Sequence, residues 1–197
     1  MRTKFASIFV LSILFCSACK NFKAKENDSE PKDENFNTVG VNNEYQIEIP
    51  RFMNGTTGLN EEASLQYQSL RHEAYLLIID EPKLGFEQVY RDLEQYDDEL
   101  SVLQNYRDAR IQILSRTTKI INKFNSKPFK INGLDAEFLE LEAKVNGVED
   151  EIFYFLTFVD GGEKVYMIMA WTVKNRKEEH KKTLSLIHIS EPTRQAE

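Results

Sequence analysis

Three long apolar segments, separated by two tight-turn signals, constrain the fold more than any other feature of the 197-residue chain. Apolar residues alternate with polar ones over residues 134–145, as in a strand with one buried face. Residues 151–159 and 165–173 are apolar at successive positions, as in strands buried on both faces. Asn146-Gly147 and residues 160–163 are typical of hairpin turns. The pattern predicts a three-stranded antiparallel meander in the core of the protein.

The alternation in the first of these segments changes phase once. One set of apolar positions ends at Phe138, and a second set, one residue out of step, begins at Leu139. Because a one-residue slip moves side chains to the opposite face of a sheet, the change of phase predicts a β-bulge at these two residues. Glu137, Glu140 and Glu142 are interpreted as the solvent-exposed side of this strand.

Shorter patterns predict the remaining elements. Apolar residues recur at helical spacing over residues 86–116, which indicates one or two helices with a break near residues 96–98. The second helix is expected to be capped by Asp97 or Asp98. Further strands are expected at residues 45–50, 63–67, 73–80 and 119–124, with a turn at residues 126–128. The sum is an α+β domain over residues 45–183, in which an antiparallel sheet of about six strands packs with helices.

Five segments of this pattern carry a resemblance to a known fold: residues 45–53 (YQIEIPRFM), 63–67 (ASLQY), 75–83 (YLLIIDEPK), 131–136 (INGLDA) and 170–177 (AWTVKNRK). Together they resemble the PsbP-like fold, which many bacterial envelope lipoproteins share. The resemblance implies a PsbP-like α/β sandwich. Because most members are accessory or binding subunits, it also implies a role of that kind. Its motifs are structural, so it implies no catalytic residue and no cofactor.

The N-terminus resembles a bacterial lipoprotein signal. Two basic residues precede an apolar run over residues 5–15, which is too short to span a bilayer as a helix. Small residues then precede Cys19, as in the motif where lipid is attached to a cysteine. We expect the signal, residues 1–18, to be cleaved after Ala18 and Cys19 to carry acyl groups such as palmitate. The alternative is an ordinary secretory signal that is cut at the same bond.

Lipidation at Cys19 predicts the membrane as a partner and the cell envelope of a Gram-negative bacterium as the location. The residue after the cysteine is Lys20. In enteric-type sorting, an Asp at this position retains a lipoprotein in the inner membrane. The absence of Asp therefore favours the outer membrane over the inner membrane. Residues 19–44 are polar and rich in Lys, Asp, Glu and Asn, which predicts a flexible tether between the lipid and the domain.

Residues 184–197 are interpreted as a non-native tail. The eleven residues 184–194, LSLIHISEPTR, are identical to a frame translation of a common sequencing-library transposase adapter. We therefore expect the gene to be truncated near Thr183, within the final helix of the domain.

Composition and the residue inventory point to no particular chemistry. The formal net charge of −7 argues against nucleic acid as a partner, because phosphates require clustered Lys and Arg. Between the signal and the tail the histidines are His72 and His180, interpreted as isolated surface residues, and the one cysteine is Cys19. The sequence therefore predicts no catalytic residue, no metal site and no cofactor.

Aromatic residues on the last two strands of the meander are the remaining candidates for a binding surface. Phe153, Phe155, Tyr166 and Trp171 either pack in a core on both faces of the sheet or line a groove or partner surface. Two functions stay open. The first is a membrane-tethered, non-catalytic accessory or binding module with an envelope protein as partner. The alternative is a carrier or enzyme that handles a lipid or small amphiphile in a cleft between sheet and helices.

Overall fold

A computed structural model describes residues 35–185, 187 and 189–190 of the chain. The strands are β1 (Phe36–Val41), β2 (Tyr45–Pro50), β3 (Asn54–Gly55), β4 (Leu65–Ser69), β5 (Ala74–Pro82), β6 (Thr118–Lys123), β7 (Lys127–Ile131), β8 (Leu134–Val145), β9 (Glu151–Asp160), β10 (Lys164–Val173) and β11 (Ile189–Ser190). The helices are α1 (Lys83–Asp92), α2 (Val102–Ser115) and α3 (Lys177–Leu184), the last preceded by a 3₁₀ turn at Lys174–Arg176.

Within the described residues the strands form two antiparallel sheets. The main sheet has the order β3-β4-β5-β10-β9-β8-β6, and β7 also pairs with β8. The small sheet has the order β1-β2-β11. Strands β8, β9 and β10 form the predicted meander, and β5 pairs with the far side of β10. The predicted α+β class is therefore confirmed, with the meander at the centre of the main sheet.

The main sheet is covered on both faces. Helices α1 and α2 cover one face over a cluster that we call the helix-side core. The small sheet and the end of α3 cover the other face over a second cluster, the sheet-side core. Burial on both faces explains why β9 and β10 are apolar at successive positions. None of the helices in this part of the chain is long and apolar enough to cross a membrane.

The predicted β-bulge in β8 is absent. Its pairing with β9 runs without a shift from Asp135 opposite Asp160 to Lys144 opposite Glu151. The change of phase has a different cause, because the two halves of β8 are buried on opposite faces. Ala136 lies in the sheet-side core, whereas Leu139 and the alternate residues after it lie in the helix-side core.

The glutamates of β8 do not form the solvent-exposed side that was predicted for this strand. Glu137 and Glu142 are buried, and each has specific partners. Glu137 accepts hydrogen bonds from Arg107 of α2 and from the Ser126 hydroxyl. Glu142 accepts a hydrogen bond of 2.6 Å from Asn122, which is the main reason that its pKa lies below the ordinary value. Burial of a carboxylate is tolerated here because it is hydrogen-bonded or paired with a cation.

The two predicted helices are present, but the cap of the second is not Asp97 or Asp98. The side chain of Ser101 accepts a hydrogen bond from the backbone N–H of Gln104, and the Gln104 side chain accepts one from the backbone N–H of Ser101. This reciprocal capping box satisfies two backbone donors at the start of α2. Asp97 instead accepts a hydrogen bond from the backbone N–H of Glu99 within the preceding turn.

Strand β7 occupies the segment where a turn was predicted at residues 126–128. It forms a hairpin with β8 through Asn132-Gly133, where both residues have positive φ, 49° and 87°. Asn-Gly is the preferred pair for such a turn, so the sequence signal was present. Pro128 lies in β7 at the edge of the sheet, where a residue without a backbone N–H is tolerated.

The predicted tether, residues 19–44, extends too far along the chain. Strand β1 lies within it and pairs with β2 along its whole length, from Phe36 opposite Pro50 to Val41 opposite Tyr45. Pairing to the buried strand β2 orders this segment, and Val39 and Val41 pack at the sheet-side core. The signal, the lipidation site and the rest of the tether lie outside the described residues.

Part of the predicted non-native tail packs against the domain. Leu184 and Ile187 are buried in the sheet-side core, and β11 pairs with β2 through Ile189 opposite Ile47. The adapter origin of this segment stays a prediction.

Candidate functional site

The four aromatic residues considered for a binding surface lie on two different faces of the main sheet. Phe153, Phe155 and Tyr166 are buried in the sheet-side core. They are therefore core residues and not a surface, because the small sheet and α3 cover this face of the main sheet. Trp171 points to the other face and is half-buried beside the helix-side core.

An apolar cleft of about 480 Å³ lies on this helix side, next to Trp171. Its floor is formed by strands β5, β9 and β10, through residues such as Leu77, Tyr154 and Met167. The second half of α2 forms one wall, and residues near Leu59 in the loop before β4 contribute as well. The cleft exists because α1 and α2 cover only part of the helix-facing surface of the sheet.

Aromatic rings form the end of the cleft near Trp171. The indole of Trp171 stacks on the ring of Tyr75 in the paired strand β5, with ring centroids 5.3 Å apart and an interplanar angle of 12°. Tyr154 lies on β9, the other strand that pairs with β10, and its ring centroid is 6.2 Å from that of Trp171. Burial raises the pKa of Tyr154 to about 12, so its phenol is neutral at physiological pH. This end of the cleft thus offers a flat, uncharged surface.

Arg110 of α2 is the buried charge of the cleft, and its charge is balanced from within the protein. Its Nη1 lies 3.3 Å from Oε2 of Glu62, and its Nη2 forms an ion pair with Glu81. Its Nε donates a hydrogen bond of 3.3 Å to the hydroxyl of Tyr106. Burial lowers the pKa of Arg110, but a guanidinium stays protonated in proteins. Arg110 therefore serves as an internal anchor between α2, β5 and the loop before β4.

Arg116, at the C-terminal end of α2, is a different kind of charge. It lines the cleft and is exposed, and within the described residues no carboxylate lies within ion-pair distance of its guanidinium. It is therefore available to a ligand at the rim, whereas Arg110 is not. The cleft as a whole combines an apolar floor, an aromatic end and one accessible cation.

The two histidines predicted to be isolated on the surface lie together, which corrects that interpretation. His180 of α3 is buried, and its Nε2 lies 2.8 Å from the backbone carbonyl oxygen of His72 in the turn between β4 and β5. Glu179 lies beside both rings. Sequence spacing could not reveal this cluster, because 108 residues separate the two histidines along the chain.

No protein-family model matches the chain, and no curated protein matches it. Among solved structures, it is similar to cyanobacterial PsbP (CyanoP) from Synechocystis sp. PCC 6803, with 12% sequence identity, a TM-score of 0.49 and coverage of 79% of this chain and 93% of that chain. It is also similar to PA94 from Pseudomonas aeruginosa, a protein of unknown function, with 14% identity, a TM-score of 0.35 and coverage of 77% and 94%. These likenesses concern the fold alone, and neither contributes to the assignment of a site.

Proposed function

We propose that this protein is a non-catalytic binding module that holds a small amphiphile, with its apolar body in the cleft and an anionic head group at Arg116. The observation that carries the proposal is the cleft itself, which is apolar on its floor and has its buried guanidinium already paired. A tether to the membrane through lipid at Cys19 completes the proposal, because a ligand of this kind is found in lipid layers.

The size and lining of the cleft suit a ligand with a flexible apolar body. Small-molecule sites are typically clefts of about 300–1,000 Å³ with mostly apolar walls and a few polar groups, and this cleft of about 480 Å³ is within that range. Met167 and Met169 contribute to the floor, and the unbranched side chain of methionine adapts to ligands of varied shape.

The position of Arg116 favours an anionic head group over a neutral or cationic one. Because Arg116 is exposed, its contribution is screened by solvent and amounts to about 1 kcal/mol or less. Arg116→Gln should therefore weaken the binding of an anionic amphiphile by about two- to fivefold. Binding of the corresponding alcohol should not change.

Native mass spectrometry of the purified full chain tests the proposal. The chain should carry Cys16→Ser and Cys19→Ser, so that any bound amphiphile is non-covalent. We expect an adduct after incubation with decanoate that is lost on denaturation. Ile113→Glu should remove the adduct, because Ile113 lines the cleft from α2 and the new carboxylate repels the anion. Leu84→Glu, which adds the same charge at an exposed position of α1, is the control. An adduct that persists in Ile113→Glu would contradict the proposal.

The tether proposal has its own test in living cells. Labelling with a radioactive or clickable fatty acid should mark the wild-type chain, because stable membrane anchoring needs more than one acyl chain and lipoproteins carry several. Cys19→Ala should abolish labelling, whereas Cys16→Ala should retain it. Equal labelling of the wild type and Cys19→Ala would overturn the assignment of Cys19. Membrane fractionation of the same cells tests the outer-membrane location, and crosslinking tests for an envelope protein partner.

A further inference from the structure

Two elements that are distant in sequence bring three metal-ligating side chains together away from the cleft. His72 lies in the turn between β4 and β5, and Glu179 and His180 lie on α3. The two imidazole centroids are 6.1 Å apart. The ring of Phe52 packs against both of them, with centroid distances of 4.5 Å to His72 and 5.9 Å to His180. Helix α3 belongs to the sheet-side layer, so this cluster and the cleft lie on opposite faces of the main sheet.

The three potential ligand atoms lie close together. Oε1 of Glu179 lies 3.9 Å from Nδ1 of His72 and 3.7 Å from Nε2 of His180, and one ligand atom from each residue fits within 4.8 Å of the others. Zinc ligands lie about 2.0–2.2 Å from the metal, which places two ligands of a tetrahedral site about 3.4 Å apart. The two measured pairs need to contract by about 0.3–0.5 Å, and the pair between the two imidazole nitrogens, which lies within 4.8 Å, by up to about 1.4 Å.

The side chains that must move are the ones that are free to do so. His180 is fixed, because its side chain is 4% exposed, whereas the side chains of His72 and Glu179 are 33% and 48% exposed. A buried, immobile imidazole with two adjustable partners is a reasonable starting geometry for a metal. The exposed side of Glu179 leaves room for water as a further ligand, and sites with three protein ligands keep an open position of this kind.

Two existing contacts compete with a metal and also orient its ligands. Arg176 donates hydrogen bonds of 2.9 Å and 3.0 Å to the two oxygens of Glu179. A metal at Oε1 shares that oxygen with Nη2 of Arg176, whereas the hydrogen bond from Nε to Oε2 still orients the carboxylate, as is usual for ligating carboxylates. Nε2 of His180 lies 2.8 Å from the His72 carbonyl oxygen, so metal binding through Nε2 breaks this contact and requires the turn that carries His72 to move away from the ring.

We propose that His72, Glu179 and His180 bind a divalent transition metal of the Zn²⁺ class and that the metal fastens α3 to the turn between β4 and β5. Imidazole and carboxylate ligands in this combination suit Zn²⁺. The proposal is independent of the amphiphile site, because the two share no residue.

Calorimetric titration of the untagged full chain with Zn²⁺ tests this site. The chain should carry Cys16→Ser and Cys19→Ser, because the Cys-x-x-Cys pair of the signal could itself bind zinc. We expect saturable binding of one Zn²⁺ per chain and a rise in Tm. Substitution of Co²⁺ should give visible absorption bands typical of a site with fewer than six ligands.

Matched variants make the result specific. His72→Ala and Glu179→Gln should each weaken Zn²⁺ binding by tenfold or more, since loss of groups that merely support a metal ligand already costs about 10–100-fold. Glu178→Gln, at the exposed neighbouring position, should leave binding unchanged. His180→Ala is less informative because that ring is buried and its loss could unfold α3. No saturable binding, or equal binding by wild type, His72→Ala and Glu179→Gln, would overturn the proposal.

Discussion

Phe153→Ala should lower the free energy of unfolding by about 3–5 kcal/mol, as is typical when a buried phenylalanine is truncated. The Phe153 side chain is fully buried in the sheet-side core. Its ring lies 5.0 Å from the ring of Phe155 in a T-shaped arrangement, and Nζ of Lys177 lies 3.9 Å above it. Truncation removes all these contacts and leaves a cavity in the sheet-side core. Urea unfolding of the full chain, followed by circular dichroism, measures the change.

Leu84→Ala is the matched control for this experiment. Leu84 is also a large apolar residue, but it is 81% exposed on α1, so its truncation should change stability by less than about 0.5 kcal/mol. A loss of under about 1 kcal/mol for Phe153→Ala would mean that Phe153 lies at a surface. That result would restore the aromatic binding patch that the sequence left open.

Alkaline pH should destabilise the domain strongly between pH 10 and pH 12. Burial raises the pKa values of Tyr45 and Tyr154 to about 12 from an ordinary value of 10, and burial raises that of Tyr106 further. Because the unfolded chain ionises first, the stability that these neutral phenols contribute is complete below pH 10 and is lost as the pH rises to 12. The rise in pKa corresponds to a contribution of about 3 kcal/mol at most from each of Tyr45 and Tyr154.

Lys164 also contributes stability that is lost as the pH rises. Its ammonium group lies 2.8 Å from Asp80 and 2.7 Å from Glu44, and hydrogen bonds to these carboxylates raise its pKa. Its contribution is complete below the ordinary lysine pKa and declines above it. Urea unfolding at pH 9, 10 and 11, with phenolate absorbance recorded in parallel, should show the decline. Tyr45→Phe should make the decline shallower, and stability that stayed constant from pH 9 to pH 11 would contradict the burial of these groups.

The meander and its partners could be predicted because their signals are local. Turn residues such as Asn146-Gly147 define hairpins, and successive apolar positions define strands that are buried on both faces. The prediction of a bulge in β8 failed for a specific reason: alternation shows which residues share a face, but not which layer covers that face. Strand β1 was missed because residues 19–44 are polar as a whole, and the three apolar residues of β1 are ordered by pairing with β2.

The candidate sites depend on long-range packing and were only partly visible in the sequence. Trp171 was among the residues considered for binding, and it does line the cleft. The cleft itself depends on where α2 lies over the sheet, which no spacing in the sequence specifies. The pairing of His72 with His180 depends in the same way on how α3 meets the turn before β5. Sequence patterns therefore predicted the central strands, whereas the sites required the packed structure.

Fluorescence of Trp171 tests the amphiphile site most directly, because it is the one tryptophan of the chain and it lines the cleft. The full chain with Cys16→Ser and Cys19→Ser should be titrated with decanoate below the concentration at which micelles form. We expect a saturable change in emission, weakened at least tenfold in Ile113→Glu and unchanged in Leu84→Glu. An emission spectrum that does not change on titration, or a change of equal affinity in Ile113→Glu, would contradict the proposal that this protein binds an amphiphile in its cleft.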